Sequence, residues 1–202
     1  MTRVKVHPAV ARAIDCLRSG GVALLPTDTV YGLAVRPTSP DGVDRIYAMK
    51  GRTRGKNLPV MVAHPEALDD LGVELSPAAH RLLASRLIPG RVTMALGFRD
   101  EGVPAWLAGR EEVAVRIPDH PTMSFILETV GPLLVTSANL ASQATRESVD
   151  DIVPSLHEQP DATVDEGRLE VVPSTLVNCR LDPPVIERVG AVPAAAIEEV
   201  LR

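Results

Sequence analysis

The chain has 202 residues, of which 45% are hydrophobic and 23% charged, and these near-average values argue against a disordered or membrane-embedded class. Its net charge of -5, with a pI near 5.5, disfavours broad binding to nucleic-acid backbones and favours small anionic ligands. The two cysteines, Cys16 and Cys179, lack the spacing of a zinc site or a disulfide framework, so we expect inert thiols and no metal site built by the protein.

The length suits one domain, and we predict a single domain over residues 1–202. The N-terminal segment has no long apolar core, and no run approaches the roughly 20 apolar residues that cross a bilayer. We therefore expect a cytoplasmic protein with no membrane partner.

The first predicted elements are a helix, a strand and a second helix. Pro8–Arg18 has apolar residues three and four apart and a proline in its first turn, a pattern typical of a helix. Residues 22–26 are short and apolar, which predicts a strand buried on both faces. A second helix begins near Pro40 and ends at Gly51, which leaves Lys50 in its last turn.

The rest of the chain continues this mixture of helices and strands. Strands are predicted at residues 58–63, 92–97, 113–117, 133–136 and 171–177. Helices are predicted at residues 76–87, 120–130, 147–156 and 193–201. The alternation indicates an α/β fold, but the irregular order and proline-rich joints argue against a strict doubly wound sheet.

Polar residues follow the first predicted strand, in the sequence PTDTVYGL of residues 26–33. Strand ends are common ligand sites in α/β folds. The hydroxyls of Thr27 and Thr29 can donate and accept, and Asp28 can orient a neighbour or bind an ammonium group. A turn with local hydroxyl-to-backbone bonds is an equally good interpretation of these residues taken alone.

A basic segment, KGRTRGKN, covers residues 50–57. The spacing of Lys50 and Arg52 offers a point charge and a planar fork, which suit a polyphosphate. The segment is not a P-loop, because GxxxxGK[ST] is absent. Solvated surface is the alternative interpretation.

Two further features could bind a ligand. Residues 136–139, TSAN, follow an apolar run. Their side chains either cap the next helix or bind phosphate oxygens or the edge of an adenine. Arg116 lies among apolar strand residues and needs a partner if it is buried. That partner is either a structural carboxylate or the carboxylate of a ligand.

Taken together and in order, these segments resemble the YrdC/Sua5/TsaC family of threonylcarbamoyl-AMP synthases. The matching blocks are PTDTVYGLA, MKGR with a downstream asparagine, PGRVT, VAVRIPDHP, TSAN, PST and VIERVGAVP. They cover nearly the whole chain. The length resembles the short TsaC type, without the additional C-terminal domain of Sua5-type members.

The resemblance implies a single YrdC-like domain, with a twisted mixed sheet and helices around a large, positively lined cavity. It also implies a nucleotidyltransferase reaction, in which L-threonine, bicarbonate or CO2, and ATP give L-threonylcarbamoyladenylate and pyrophosphate. The product would pass to a tRNA threonylcarbamoyl transferase complex for modification of adenosine 37. Mg2+ would accompany the phosphates, since no carboxylate cluster suggests a metal cage.

The resemblance also implies roles for individual residues. Lys50 and Arg52 would be catalytic and, in the family's K-x-R and S-x-N pattern, would bind ATP with Ser137 and Asn139. Further ATP contacts would be Asn57, Thr145 and Arg188. The threonine-binding residues would be Thr27, Thr29, Arg116 and Ser174.

The chain departs from the family pattern in three places. SANxSG is SANLAS at residues 137–142, without the glycine, so the loop there is expected to run differently. The tryptophan and second proline of the family's WPGP segment are Ile88 and Arg91 here. Residues 54–56 replace a segment that more often contains proline.

Two alternative functions stay open at this point. One is an RNA-binding or ribosome-maturation module without catalysis, although the acidic charge allows only a weak RNA contact. The other is a paralogue that adenylates a different carbamate, because the altered loops lie where a substrate would be recognised.

Overall fold

Nine short strands form one mixed sheet in the computed structural model, which describes residues 7–202. Residues 1–6, part of the predicted single domain, lie outside the described residues. The strands are β1 Ala23–Leu25, β2 Gly32–Val35, β3 Val60–Met61, β4 Val92–Leu96, β5 Val113–Arg116, β6 Leu133–Ser137, β7 Ala162–Thr163, β8 Thr175–Asn178 and β9 Val185–Arg188. Their order across the sheet is β7-β1-β2-β6-β3-β5-β4-β8-β9. Three neighbouring pairs are parallel, namely β1 with β7, β3 with β5, and β4 with β8.

Helices cover the sheet and connect its strands. The α-helices are α1 Pro8–Arg18, α2 Pro40–Lys50, α3 Pro77–Leu83, α4 Pro121–Val130, α5 Val149–Ile152 and α6 Ala194–Leu201. Short 3-10 helices cover Pro65–Leu71, Ala105–Leu107 and Val153–Ser155. None of the helices within residues 7–202 is both long enough and apolar enough to span a membrane.

The predictions for the first half of the chain are mostly confirmed. α1 has the predicted bounds and buries Val10, Ile14 and Leu17. The side chain of Ser39 caps α2 by accepting from Gly42 N at 3.3 Å. Gly51 ends α2 in the left-handed conformation, at φ 56°. β1 is buried on both faces, as predicted.

Several predicted bounds are wrong, each for a local reason. The helix predicted at 76–87 ends at Leu83, and Ser85 forms a turn after it by donating to Leu82 O. The helix predicted at 147–156 becomes 3-10 after Ile152, where Pro154 has no N–H to donate. The strand predicted at 171–177 begins only at Thr175, after a proline. β2, β7 and β9 were not predicted.

Two core clusters lie on opposite faces of the sheet. The larger packs α2, α3 and α6 against inward residues of the central strands, such as Met94 and Val115. The smaller packs α1 and α4 against β1, β2 and β6, and includes Met61 and Val135. Among the described residues, no side chain of β4, β5, β8 or β9 joins this smaller cluster. Within residues 7–202, half of that face therefore lacks the helix cover found over the other half.

Candidate functional site

A pocket of about 370 Å³ lies on this less covered half of the sheet. Met61 and Val135 belong both to its wall and to the smaller core cluster, which identifies the face. Nine of the predicted site residues line it: Thr27, Thr29, Arg52, Asn57, Arg116, Ser137, Thr145, Ser174 and Arg188. The lining contains three arginines, and no carboxylate among the described residues.

One row of residues runs along the pocket across four strands. Arg116 pairs with Thr93, Thr93 with Leu176, and Leu176 with Arg188. Paired residues point to the same face of a sheet, and all four line the pocket. Adjacent strands lie about 4.8 Å apart, so the backbones of the two arginines are separated by three strand spacings, about 14 Å.

The loop after β1 forms a directed chain of hydrogen bonds. Thr27 Oγ1 donates to Val30 O at 2.6 Å, which uses its only proton. Thr27 Oγ1 also accepts from Thr29 N and Val30 N, both at 3.1 Å, and lies 3.0 Å from Thr29 Oγ1. Thr29 Oγ1 also accepts from Arg116 Nη1 at 2.6 Å. Thr29 thus contacts both Arg116 and Thr27, and these threonines hold Arg116 in place.

Arg116 is 4% exposed and has a structural carboxylate as its partner. Nη2 donates to Asp28 Oδ1 at 2.6 Å, and Nε donates to Gly90 O at 3.0 Å. Burial lowers the pKa of Arg116, and the nearby Asp28 opposes that shift. With Thr29, these contacts use three of the five N–H donors of a guanidinium. The other two donors are uncommitted among the described residues, so the structural and ligand interpretations of Arg116 are compatible.

Lys50 lies behind the pocket wall instead of in it, with 3% exposure. Its Nζ donates to Ser137 O, to Asn139 O at 2.6 Å, and to Asn139 Oδ1 at 3.5 Å. Burial, and secondarily Arg52, lowers the pKa of Lys50 to about 8. All three ammonium protons therefore hold the loop that begins at Ser137.

Asn139 is likewise committed to this loop. Its Nδ2 donates to Leu140 O at 2.9 Å and to Gln143 O at 2.8 Å. Ser142, in place of the glycine of the family pattern, has a φ of 66°, the left-handed conformation that glycine adopts most easily. A non-glycine residue therefore occupies a left-handed position in this loop, and whether the loop runs differently from that of other family members stays a prediction.

Arg52 reaches from the end of α2 into the pocket wall. Its Nη2 donates to the carbonyls of Lys56 and Asn57, both at 3.1 Å, and Nη1 approaches Thr136 Oγ1 at 3.4 Å. Its Nε is buried and has no hydrogen-bond partner among the described residues. Arg52 therefore folds the basic segment over the pocket, and Thr145 and Asn57 line it nearby.

The PST and VGAVP segments form the opposite wall together. Arg188 donates from Nε and Nη2 to Ser174 O, at 3.2 and 2.8 Å. Thr175 Oγ1 donates to Val192 O at 2.6 Å and accepts from Gly190 N at 2.9 Å. A Cβ on Gly190 would lie 2.2 Å from Pro173 O, so this close contact requires glycine.

Thr93 was not predicted as part of the site, and Asp28 was not identified as the structural carboxylate that pairs with Arg116; Thr136, from the predicted TSAN segment, also lines the pocket. Thr93 stands in the PGRVT block, but its position beside Arg116 depends on strand pairing. The thiols of Cys16 and Cys179 are free, and burial raises the pKa of both, which agrees with inert cysteines. Within residues 7–202, no group of three potential His, Cys, Asp or Glu ligands could hold a metal ion.

Comparison with known proteins identifies the family of the chain. The family model Sua5_yciO_yrdC, described as "Telomere recombination", matches residues 15–190. Threonylcarbamoyl-AMP synthase of Bacillus subtilis (strain 168) is 34% identical over 197 residues, 96% of this chain and 57% of that protein.

Two solved structures have the same fold. The crystal structure of P. abyssi Sua5 complexed with L-threonine superposes with a TM-score of 0.84 at 30% identity, covering 95% of this chain and 56% of that chain. The crystal structure of E. coli YciO superposes with a TM-score of 0.80 at 28% identity, covering 91% and 90%. The chain spans a little over half the length of the B. subtilis and P. abyssi proteins. On its sequence and its fold, the chain belongs to the Sua5/YciO/YrdC family.

Proposed function

We propose that this chain makes L-threonylcarbamoyladenylate and pyrophosphate from L-threonine, bicarbonate or CO2, and ATP. The observation that carries the proposal is the pocket's arrangement of cations: Arg116 has two uncommitted donors on one side, and Arg52 lies on another wall beside hydroxyl groups. The names of related proteins support it, as does the L-threonine complex of P. abyssi Sua5.

Arg116 is the proposed site for the threonine carboxylate. A planar guanidinium binds a carboxylate through two parallel N–H bonds, and two N–H groups are what its internal contacts leave. Asp28 and Thr29 fix the orientation of the fork. The hydroxyls of Thr27 and Thr29 then act through Arg116.

The proposed phosphate site is the wall formed by Arg52, Ser137, Asn57 and Thr145, with Arg188 at the far end of the row. Lys50 and Asn139 support this wall from behind, so the geometry favours a positioning role for Lys50. Direct contact of Lys50 and Asn139 with ATP stays a prediction from the resemblance.

In the reaction, neutral threonine amine captures CO2 and loses a proton, giving a carbamate. A carbamate oxygen then forms a bond to the α-phosphorus of ATP, and the bond from that phosphorus to the bridging oxygen breaks to release pyrophosphate. Positioning of the two reactants and neutralisation of phosphate charge are what this pocket can supply.

Mg2+ would enter with the ATP phosphates. The described pocket lining offers hydroxyls, an amide and guanidinium groups, which do not form the carboxylate-rich cage of a protein-held divalent ion. The tRNA transferase that would receive the product, and a cytoplasmic location, are parts of the same proposal.

The test is pyrophosphate release with ATP, in the presence of threonine alone, bicarbonate alone, or both. We expect release only with both, and a loss of at least about 100-fold in Arg52→Ala, because the guanidinium would meet charge on the transferring phosphate. Arg54→Ala is the matched control: Arg54 is 66% exposed, pairs with Asp44 and should leave turnover unchanged. Release of ADP instead, or equal rates with threonine, serine and alanine, would contradict the proposal.

A further inference from the structure

The centre of the pocket row contains a pair of buried hydroxyl groups. Thr93 Oγ1 and Ser174 Oγ lie 2.7 Å apart, and each residue is 6% exposed. Both line the pocket. Thr93 lies between Arg116 on β5 and Leu176 on β8 in the strand pairing.

This pair has one proton more than its internal contacts use. Two hydroxyls carry two O–H donors, and their mutual hydrogen bond uses one. Ser174 Oγ also accepts from Arg188 Nη2 at 3.3 Å, which uses a lone pair and no hydroxyl proton. Among the described residues the second O–H has no acceptor. The second O–H is therefore available to donate to an oxygen atom of a ligand in the pocket.

The position of the pair in the pocket indicates which oxygen atom of a ligand it would bind. Directly paired residues on neighbouring antiparallel strands have Cα atoms about 4.5–5.5 Å apart, so Thr93 is the immediate neighbour of Arg116. In a β-hydroxy amino acid, two carbon atoms separate the carboxylate carbon from the hydroxyl oxygen. That reach is less than one strand spacing of about 4.8 Å. Arg116 and the Thr93–Ser174 pair therefore lie on neighbouring strands of one pocket, the arrangement that a β-hydroxy amino acid needs to place its carboxylate and its hydroxyl on separate groups.

We propose that Thr93 is a specificity-determining residue, which with Ser174 donates a hydrogen bond to the β-hydroxyl of the amino-acid substrate. The inference rests on the proposed function. It assigns the two parts of substrate recognition to neighbouring strands: Arg116 binds the carboxylate, and the hydroxyl pair selects a β-hydroxyl. Sites that hydrogen-bond a substrate hydroxyl reject analogues without it far more strongly than apolar pockets reject a missing methyl group.

The experiment compares L-threonine, L-2-aminobutyrate and L-serine as substrates for wild type, Thr93→Val and Thr93→Ser. We expect wild type to prefer threonine over 2-aminobutyrate by at least about 100-fold in kcat/KM. Thr93→Val has nearly the same shape and should reduce this ratio to below about 10, mainly through KM for threonine. Its preference for threonine over serine, which depends on the methyl group, should change little. Thr93→Ser restores the hydroxyl and should restore the ratio.

Calorimetric titration of each amino acid gives a readout that does not depend on turnover. Thr129→Val is the matched control, since the Thr129 hydroxyl donates to Phe125 O on α4, outside the pocket. If wild type releases no pyrophosphate with threonine and bicarbonate, the proposed function fails. If wild type does, but folded Thr93→Val keeps the full preference for threonine over 2-aminobutyrate, the assignment of Thr93 is wrong.

Discussion

The Asp28–Arg116 ion pair gives a sharp test of how the pocket is supported. Their side chains are 9% and 5% exposed, and the bond is 2.6 Å long. Asp28→Asn keeps an Oδ1 acceptor for Arg116 but removes the negative charge. Removing one partner of a buried pair costs about 3–5 kcal/mol. The retained hydrogen bond to a charged group is worth about 1.5–3 kcal/mol. The net loss of unfolding free energy is therefore about 2 kcal/mol, or about 4–8 °C in Tm at this chain length.

Urea unfolding and a thermal melt would measure this loss. Asp119→Asn makes the same chemical change at an exposed position and should stay within about 0.5 kcal/mol of wild type. The effect of Asp28→Asn should persist in high salt, because a buried pair is poorly screened. A variant as stable as Asp119→Asn, or a difference abolished by salt, would show that Asp28 does not compensate a buried charge.

Three further predictions concern other parts of the site. Arg116→Lys keeps the charge but loses the planar fork, so calorimetry should find threonine affinity reduced at least about tenfold and ATP affinity nearly unchanged; equal losses for both ligands would contradict this. Burial lowers the pKa of Lys50 from an ordinary 10.5 to about 8 in the folded protein. Between these pH values the unfolded chain binds more protons than the folded one, so the free energy of unfolding of wild type should rise with pH relative to that of Lys50→Met. Urea titrations at pH 7 and pH 10 would measure this rise, and the same difference between the two proteins at both pH values would contradict it. Ser142→Gly removes a side chain from a residue at φ 66° and should raise the free energy of unfolding by about 1 kcal/mol. A thermal melt would measure this, and a lower Tm for the variant would show that Ser142 is not strained.

The elements predicted best from the sequence are those with local signals. α1 and α2 have proline in the first turn and well-spaced apolar residues, and Gly51 ends α2. β9 was missed because three of its four residues are exposed, which gives no buried-strand pattern. β7 has only two residues, too few for any periodicity.

The site residues also differ in whether a local sequence signal could identify them. Nine of the residues that the resemblance named line one pocket, although their segments lie at different places in the fold: PTDTVYGLA follows β1, MKGR ends α2 and PST precedes β8. The blocks did not reveal that Lys50 would be buried behind the wall, since that depends on contacts with residues about 90 positions later in the chain. Thr93 was missed for a similar reason. A threonine in a strand has no individual signal until its neighbours on β5 and β8 are known.

The row from Arg116 to Arg188 has a consequence for protein synthesis. β8 and β9 follow the other strands of the row in the chain. They provide Leu176 and Arg188, and Ser174 directly precedes β8. A nascent chain can emerge with Asp28, Thr29 and Arg116 already made while one wall of the pocket has yet to be translated. Because ligands stabilise only the state that binds them, a ligand of this pocket would stabilise chains that include β8 and β9 and leave chains terminated before them exposed to proteolysis.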